Sequence, residues 1–179
     1  TGQFGGTTGT DPKALALDYA GNVYTANLAS DSVTKISADG SVTAQYGGTT
    51  GSGPIDVMID DNGNVYTANI FGFSITKITP DETTIQDFGG RIGKQGEGPG
   101  QLLLASNGDI FAYTDGDYLQ RITPNGTTTL VTNFFPGGFG RIAIDSADHL
   151  YSIYQGQVQR LNDDRTFTQF GVLPRFGGT

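Results

Sequence analysis

The chain has 179 residues, the size of one domain, and a formal net charge of −8. Its 10 Lys and Arg residues are scattered and outnumbered by 18 Asp and Glu residues, which excludes nucleic acid as a partner. It contains no cysteine, which excludes disulfides and thiolate metal sites, and no apolar run approaches the roughly 18 residues of a membrane span.

The chain opens with a segment that resembles the end of a repeat. The sequence from Gln3 to Pro12, "QFGGTTGTDP", nearly duplicates "QYGGTTGSGP" from Gln45 to Pro54. The later copy follows a predicted fourth strand. We therefore predict that residues 1–10 form an extra strand of this fourth type.

The first unit after this segment reads as four short strands, rich in Val, Ile, Thr and Tyr and separated by turn residues. The predicted strands of this unit are Lys13–Asp18, Asn22–Asn27, Ser32–Ser37 and Ser41–Gly47. Turn sequences such as "YAGN" and "ADGS" separate them. No stretch carries helical periodicity, so the sequence predicts an all-β chain.

The unit then recurs along the whole chain. "GNVYTAN" occurs at residues 21–27 and again at 63–69, with weaker copies at 108–114 and 148–154. The equivalent residues Asn22, Asn64, Asp109 and His149 are 42, 45 and 40 residues apart. Four strands repeated at this period are typical of a propeller blade, which buries its faces only against neighbouring blades.

The sequence therefore predicts one β-propeller domain over residues 1–179, built from four-stranded antiparallel blades. The approximate blade boundaries are 11–52, 53–97, 98–139 and 140–179. The extra strand at 1–10 leaves three possibilities open: the blades belong to a larger ring, they close as a small ring with an irregular seam, or the strand pairs with another copy.

Two longer patterns resemble known propeller families. "P-x-x-[LV]-x-[IL]-D-x-x-G-N-V-Y-T-A-N" occurs at Pro12–Asn27 and Pro54–Asn69, and "QGEGPGQL" at Gln95–Leu102. They resemble NHL-repeat propellers and the related SMP-30/gluconolactonase-like and streptogramin-lyase-like propellers. The resemblance implies NHL-like blades across nearly the whole chain. It does not imply one function, because these families include enzymes and non-catalytic binding modules.

The lactonase-like relatives imply one candidate metal site. They hold a divalent cation such as calcium with a Glu from one blade and Asn and Asp from others, and the matching residues here are Glu97, Asn27, Asn69 and Asp115. The alternative interpretation is that these Asn and Asp residues satisfy backbone groups where strands end. The lyase-like relatives use a His as acid and base, but the repeat alignment places His149 in an outer turn.

The segment "NFFPGGFGR", residues 133–141, is the most unusual loop of the sequence. Phe134, Phe135, Phe139 and Arg141 are candidate binding residues, because an exposed aromatic patch fits a sugar, a peptide or a neighbouring subunit. The alternative is that the rings fill the gap between the third and fourth blades.

These observations favour a non-catalytic repeat domain without a cofactor, which binds a protein or glycan ligand or copies of itself through the terminal strand. The richness in Gly and Thr with few charges resembles extracellular repeat proteins, so we expect an extracellular or periplasmic location. The alternative is a metal-dependent lactonase-like or lyase-like enzyme that uses the candidate metal residues Glu97, Asn27, Asn69 and Asp115.

Overall fold

A computed structural model describes residues 9–114, 116–133, 142–154 and 157–172. These residues form sixteen strands and one short 3-10 turn at Leu28–Ser30. No helix in these ranges is long and apolar enough to cross a membrane. The prediction of an all-β chain is confirmed.

The strands form four antiparallel sheets of four strands each, in simple sequence order. The first sheet contains β1 (Pro12–Leu17), β2 (Val23–Asn27), β3 (Ser32–Ile36) and β4 (Val42–Thr43). The second contains β5 (Pro54–Ile59), β6 (Val65–Asn69), β7 (Ser74–Ile78) and β8 (Thr84–Ile85). The third contains β9 (Pro99–Leu104), β10 (Ile110–Thr114), β11 (Leu119–Ile122) and β12 (Thr128–Thr132). The fourth contains β13 (Ile142–Ile144), β14 (Leu150–Tyr154), β15 (Gln157–Leu161) and β16 (Phe167–Val172).

The first strands of consecutive sheets contact one another, β1 with β5, β5 with β9 and β9 with β13. The sheets therefore stack side by side with their first strands on the inside, which is the blade arrangement of a propeller. Each sheet is one predicted blade, and the exact blade boundaries remain a prediction.

The apolar core is divided into three layers, one between each pair of neighbouring sheets. The layer between the first and second sheets includes Tyr24, Ala26, Val33, Tyr46, Val57, Val65 and Ile78. The layer between the second and third includes Tyr66, Ala68, Ile75, Phe88, Leu102, Ile110 and Ile122. The layer between the third and fourth includes Tyr113, Leu119, Ile142 and Leu150. Each inner sheet buries both faces, which explains why apolar positions recur in register.

The fourth strand of the first unit is shorter than predicted. The sequence predicts a strand over Ser41–Gly47, but β4 covers only Val42–Thr43. Beyond it the backbone bends, and the Tyr46 N–H donates to the Val33 carbonyl at 2.8 Å. The bend turns the Tyr46 ring into the layer between the first two sheets, where it contacts Tyr24 edge to face at 5.4 Å.

Candidate functional site

The connections between strands lie at two opposite ends of the sheets, because neighbouring strands run antiparallel. One end, here called the short-turn end, carries the turns between first and second strands and between third and fourth strands. The other, the linker end, carries the links between sheets and the connections between second and third strands. Of the predicted metal residues, Asn27, Asn69 and Glu97 belong to the linker end, and His149 belongs to the short-turn end.

At the linker end of the first sheet, Asn27 is fully buried in a network within its own sheet. Its Oδ1 accepts a hydrogen bond from Thr25 Oγ1 at 2.9 Å. Its Nδ2 donates to Ser32 Oγ at 3.3 Å and to Thr34 Oγ1 at 3.0 Å. The amide thus joins the second and third strands through side-chain hydroxyl groups. The interpretation that it satisfies backbone groups at the strand end remains a prediction.

Asn69 makes the same network in the second sheet. Its Oδ1 accepts from Thr67 Oγ1 at 2.9 Å, and its Nδ2 donates to Ser74 Oγ at 3.3 Å and to Thr76 Oγ1 at 2.9 Å. The preceding link adds the Gly51 N–H, which donates to Thr76 Oγ1 at 3.0 Å. A Cβ at Gly51 would lie 2.6 Å from Asn69 Nδ2, so only glycine lets the link approach this closely.

Glu97 lies in the link that enters the third sheet, and its two carboxylate oxygens differ in their surroundings. Oε1 is 3.0 Å from Lys94 Nζ. Oε2 is buried and accepts no hydrogen bond from any described group. The carboxylate packs against the backbone of Gly116, directly after Asp115, and Gly98 packs against Ile70, directly after Asn69.

The structure thus places Glu97 between the connections that follow the second strands of the second and third sheets. Asn27 lies one sheet further away, and Asp115 is outside the described residues. Within the described ranges, no group of three or more His, Asp or Glu side chains is arranged to hold a metal ion. The amide groups of Asn27 and Asn69 are already engaged with their own sheets. The metal site remains a prediction.

His149 lies in the turn between β13 and β14. Its Nδ1 is 2.9 Å from Asp145 Oδ2, and its backbone N–H donates to Asp145 Oδ1 at 2.9 Å. The backbone N–H of His149 holds the pKa of the Asp145 carboxyl below its usual value, and the His149 and Tyr151 side chains add to this effect. The histidine is therefore part of a turn, at the opposite end from Glu97.

The same turn recurs in other sheets, and the second sheet shows all its parts. Asp60 Oδ1 accepts from the backbone N–H groups of Asn62 at 3.0 Å and Asn64 at 2.9 Å. Asp60 Oδ2 accepts from Asn64 Nδ2 at 2.7 Å and from Tyr66 hydroxyl at 3.0 Å. Asp18 and Asp145 occupy the equivalent position and make the equivalent bonds in the first and fourth sheets. Sequence reasoning missed this hydrogen-bonded turn, although an Asp followed by a Tyr six residues later occurs in three of the four repeats.

These turns surround an open cleft of about 650 Å³ at the short-turn end. Turns from the second, third and fourth sheets line it. The polar lining residues are Asp60, Asp61, Asn62, Ser106, Asn107, Asp145, Ser146 and Asp148. Ser106 fixes the rim, because its backbone N–H donates to Asp148 Oδ1 at 2.8 Å and its hydroxyl to Oδ2 at 2.7 Å. Among the described lining residues none is Lys or Arg.

A second cleft of about 500 Å³ lies between the turns of the first and second sheets. Leu17 and Ile59 form its apolar part, and Tyr19 and Asp61 form its rim. The Tyr19 hydroxyl is 3.4 Å from Asp61 Oδ1, so Asp61 borders both clefts. Fixed carboxylates and amides of this kind bind hydroxyl-rich or cationic groups. The predicted aromatic patch, Phe134, Phe135, Phe139 and Arg141, lies outside the described residues and stays a prediction.

No family model matches the sequence, and no curated protein matches it. Solved structures do resemble it. Virginiamycin B lyase from Staphylococcus aureus matches 93% of this chain with a TM-score of 0.75 at 20% sequence identity. The extracellular domain of a putative hybrid two-component system from B. thetaiotaomicron matches 93% of it with a TM-score of 0.69 at 14% identity. A putative gluconolactonase matches 92% of it with a TM-score of 0.65 at 15% identity.

These matches cover the four sheets but only part of each larger protein. The chain spans 57% of the virginiamycin B lyase structure, 25% of the extracellular domain and 64% of the putative gluconolactonase. At these identities the likeness establishes the fold and not the activity. The chain therefore has a β-propeller fold of the kind found in virginiamycin B lyase and in the putative gluconolactonase.

Proposed function

We propose that this chain is a non-catalytic binding module on the extracellular or periplasmic side of the cell, and that the short-turn cleft binds its protein or glycan ligand. The observation that carries the proposal is the convergence of turns from three sheets on one open cleft. A resemblance to an extracellular domain supports the location.

The cleft suits binding because its polar groups are held in place. Ser106 and Asp148 join the third and fourth sheets, and Asp60 and Asp145 are fixed by bonds within their turns. Turns fixed in this way keep the shape of the cleft, so a ligand binds without a large loss of side-chain entropy. The described lining carries carboxylates and amides but no Lys or Arg side chain, which favours a ligand with hydroxyl or cationic groups.

A panel of immobilised oligosaccharides and of peptides of graded charge tests this proposal. Labelled protein is expected to retain at least one probe, and Asp61→Asn is expected to weaken that binding about tenfold or more, which corresponds to about 1.4 kcal/mol. Asp39→Asn is the matched control, because Asp39 lies in an exposed turn of the first sheet away from both clefts. Retention of no probe, or equal weakening by both variants, would contradict the proposal.

One observation favours the enzymatic alternative. Glu97 Oε2 is buried without a described donor, and an unpaired buried carboxylate oxygen normally has a ligand or a proton. Isothermal titration with calcium separates the two functions. Binding at millimolar calcium that Glu97→Gln abolishes would support a metal site, and turnover of a lactone would then decide for the enzyme.

A further inference from the structure

Three Asn–Gly pairs occupy turns at the short-turn end of the sheets. They are Asn62–Gly63, Asn107–Gly108 and Asn125–Gly126, and all three asparagines are exposed. An asparagine before glycine is chemically labile, because glycine has no side chain to shield its backbone nitrogen from the neighbouring side-chain carbonyl. The three pairs therefore share one intrinsic reactivity, and their surroundings decide which of them reacts.

The reaction is deamidation, in which the glycine nitrogen bonds to the asparagine Cγ and the Cγ–Nδ2 bond breaks. The side-chain nitrogen takes the proton of the glycine N–H and leaves as ammonia, and a cyclic imide remains. Water then opens the imide at either carbonyl carbon, which gives aspartate or isoaspartate. In all three turns the glycine N–H donates to the carbonyl three residues earlier, at 2.8 to 3.0 Å, so the difference between them comes from the asparagine side chains.

The side chains of Asn107 and Asn125 are held by their own turns. Asn107 Oδ1 accepts the backbone N–H of Asp109 at 3.0 Å, and its Nδ2 donates to Asp109 Oδ2 at 2.8 Å. Asn125 Oδ1 accepts the backbone N–H of Thr127 at 3.2 Å and also the hydroxyl of Thr123. These bonds must break before the asparagine Cγ can reach the glycine nitrogen, so both turns oppose the reaction.

Asn62 lacks this restraint because Asp60 accepts the hydrogen bond that would provide it. The equivalent backbone N–H, two residues after Asn62, belongs to Asn64, and it donates to Asp60 Oδ1 at 2.9 Å. In the third sheet Ala105 stands at the position of Asp60, so the Asp109 N–H stays available to the asparagine of the turn. Within the described part of the chain, no hydrogen bond holds the side-chain amide of Asn62.

We propose that Asn62 is a site of spontaneous deamidation and that the other two Asn–Gly pairs are protected. Asp60 is the cause, because it takes the backbone N–H that would hold the Asn62 side chain. Asn62 borders both clefts of the short-turn end, so its conversion adds a carboxylate to their lining beside Asp61. The isoaspartate product also runs the backbone of the turn through Cβ. The reaction depends on the turn alone and not on the proposed ligand binding.

Peptide mass spectrometry of the full chain after incubation at mildly alkaline pH tests the proposal. Deamidation of Asn62 is expected to be at least about fivefold faster than that of Asn107 or Asn125, which is the factor that one net hydrogen bond contributes. The chain unfolded in guanidinium chloride is the control, and there the three asparagines are expected to react at similar rates because each precedes glycine. Similar rates in the folded chain, or a slower reaction at Asn62 than at the other two, would overturn the proposal.

The Asp60→Ala variant tests the cause. It frees the Asn64 N–H for the side chain of Asn62, so the ratio of the Asn62 rate to the Asn107 rate is expected to fall at least about threefold. Asn107 in the same sample corrects for a general loss of stability. Asp60→Asn is the conservative counterpart, because its side-chain oxygen still accepts the Asn64 N–H, and it is expected to keep the ratio high. A ratio that stays the same or rises in Asp60→Ala would show that Asp60 does not control the reaction.

Discussion

The second and third sheets share one core layer but differ at their short turns. In the second sheet, Asp60 accepts the Tyr66 hydroxyl and the Asn64 amide. In the third sheet, Ala105 replaces the carboxylate and Phe111 replaces the tyrosine six residues later. Asp109 instead pairs with Arg121 on the neighbouring strand. The carboxylate and the hydroxyl are lost together.

The linker ends differ in the same concerted way. Asn69 and Thr76 of the second sheet are replaced in register by Thr114 and Gln120. Gln120 Oε1 then accepts the N–H of Gly93, as Thr76 Oγ1 accepts that of Gly51. A buried polar group without its partner costs about 1 to 3 kcal/mol, so partners change together. The comparison teaches that polar networks are units within a blade, whereas the apolar layers are common to all blades.

The largest expected effect tests the shared core. Ile78 and Ile122 occupy equivalent positions and both are fully buried. Ile78→Ala and Ile122→Ala are each expected to lower the free energy of unfolding by about 2 to 5 kcal/mol, because each leaves a cavity between two sheets. Urea denaturation followed by circular dichroism measures both. A negligible loss in one variant would show that the layers are not equivalent.

The next effect concerns the linker end of the second sheet. Asn69→Ala removes the partner of Thr67 and two bonds to the third strand, and is expected to lower the free energy of unfolding by about 1 to 3 kcal/mol. Asn62→Ala is the matched control, because this exposed asparagine contributes its backbone to the turn. If Asn69 instead serves mainly a ligand, the two variants will unfold at the same urea concentration.

A smaller effect tests whether the short turn acts as a unit. Asp60→Ala and Tyr66→Phe are each expected to be destabilising, by about 1 to 3 and about 1 kcal/mol. The double variant recreates the pair that the third sheet carries at Ala105 and Phe111. It is expected to be less destabilised than the sum of the single variants, with a coupling of about 0.5 kcal/mol or more. Additive losses in urea denaturation would refute a shared network.

The sequence predicts much of the fold because its signals are local. The repeated "GNVYTAN" contains β2 and β6, and the predicted strand Asn22–Asn27 differs from β2 by one residue at its start. The turn residues between the strands fix their order. The buried networks of Asn27 and Asn69 are local too, since each amide bonds to side-chain hydroxyl groups of its own hairpin.

The clefts and faces depend on how sheets stack, which spacing along the chain does not encode. Ser106 and Asp148 are 42 residues apart and meet only because the third sheet packs against the fourth. Likewise, Val57 and Leu15 have similar surroundings in sequence, yet one is buried and the other exposed. A repeat along the sequence predicts the structure of each blade, but it does not predict which residues of neighbouring blades come into contact.

The last and smallest effect is a pH dependence that separates the second sheet from the third. Burial, followed by the nearby charge of Asp60, raises the pKa of Tyr66 above its ordinary value of 10.0, so the folded chain keeps this proton longer than the unfolded chain. Its contribution to stability is complete below about pH 10 and is lost as the pH rises further. Phe111, the counterpart in the third sheet, has no proton to lose.

Tyr66→Phe is therefore expected to make the decline in the free energy of unfolding between pH 9 and pH 11 shallower, even though the variant is slightly less stable at neutral pH. Tyr19→Phe is the matched control, because that side chain is exposed in the turn of the first sheet. Urea titrations at each pH measure the slope. An equal decline in both variants would mean that the Tyr66 proton does not distinguish the folded from the unfolded chain, and that the hydroxyl serves the turn only through its hydrogen bond.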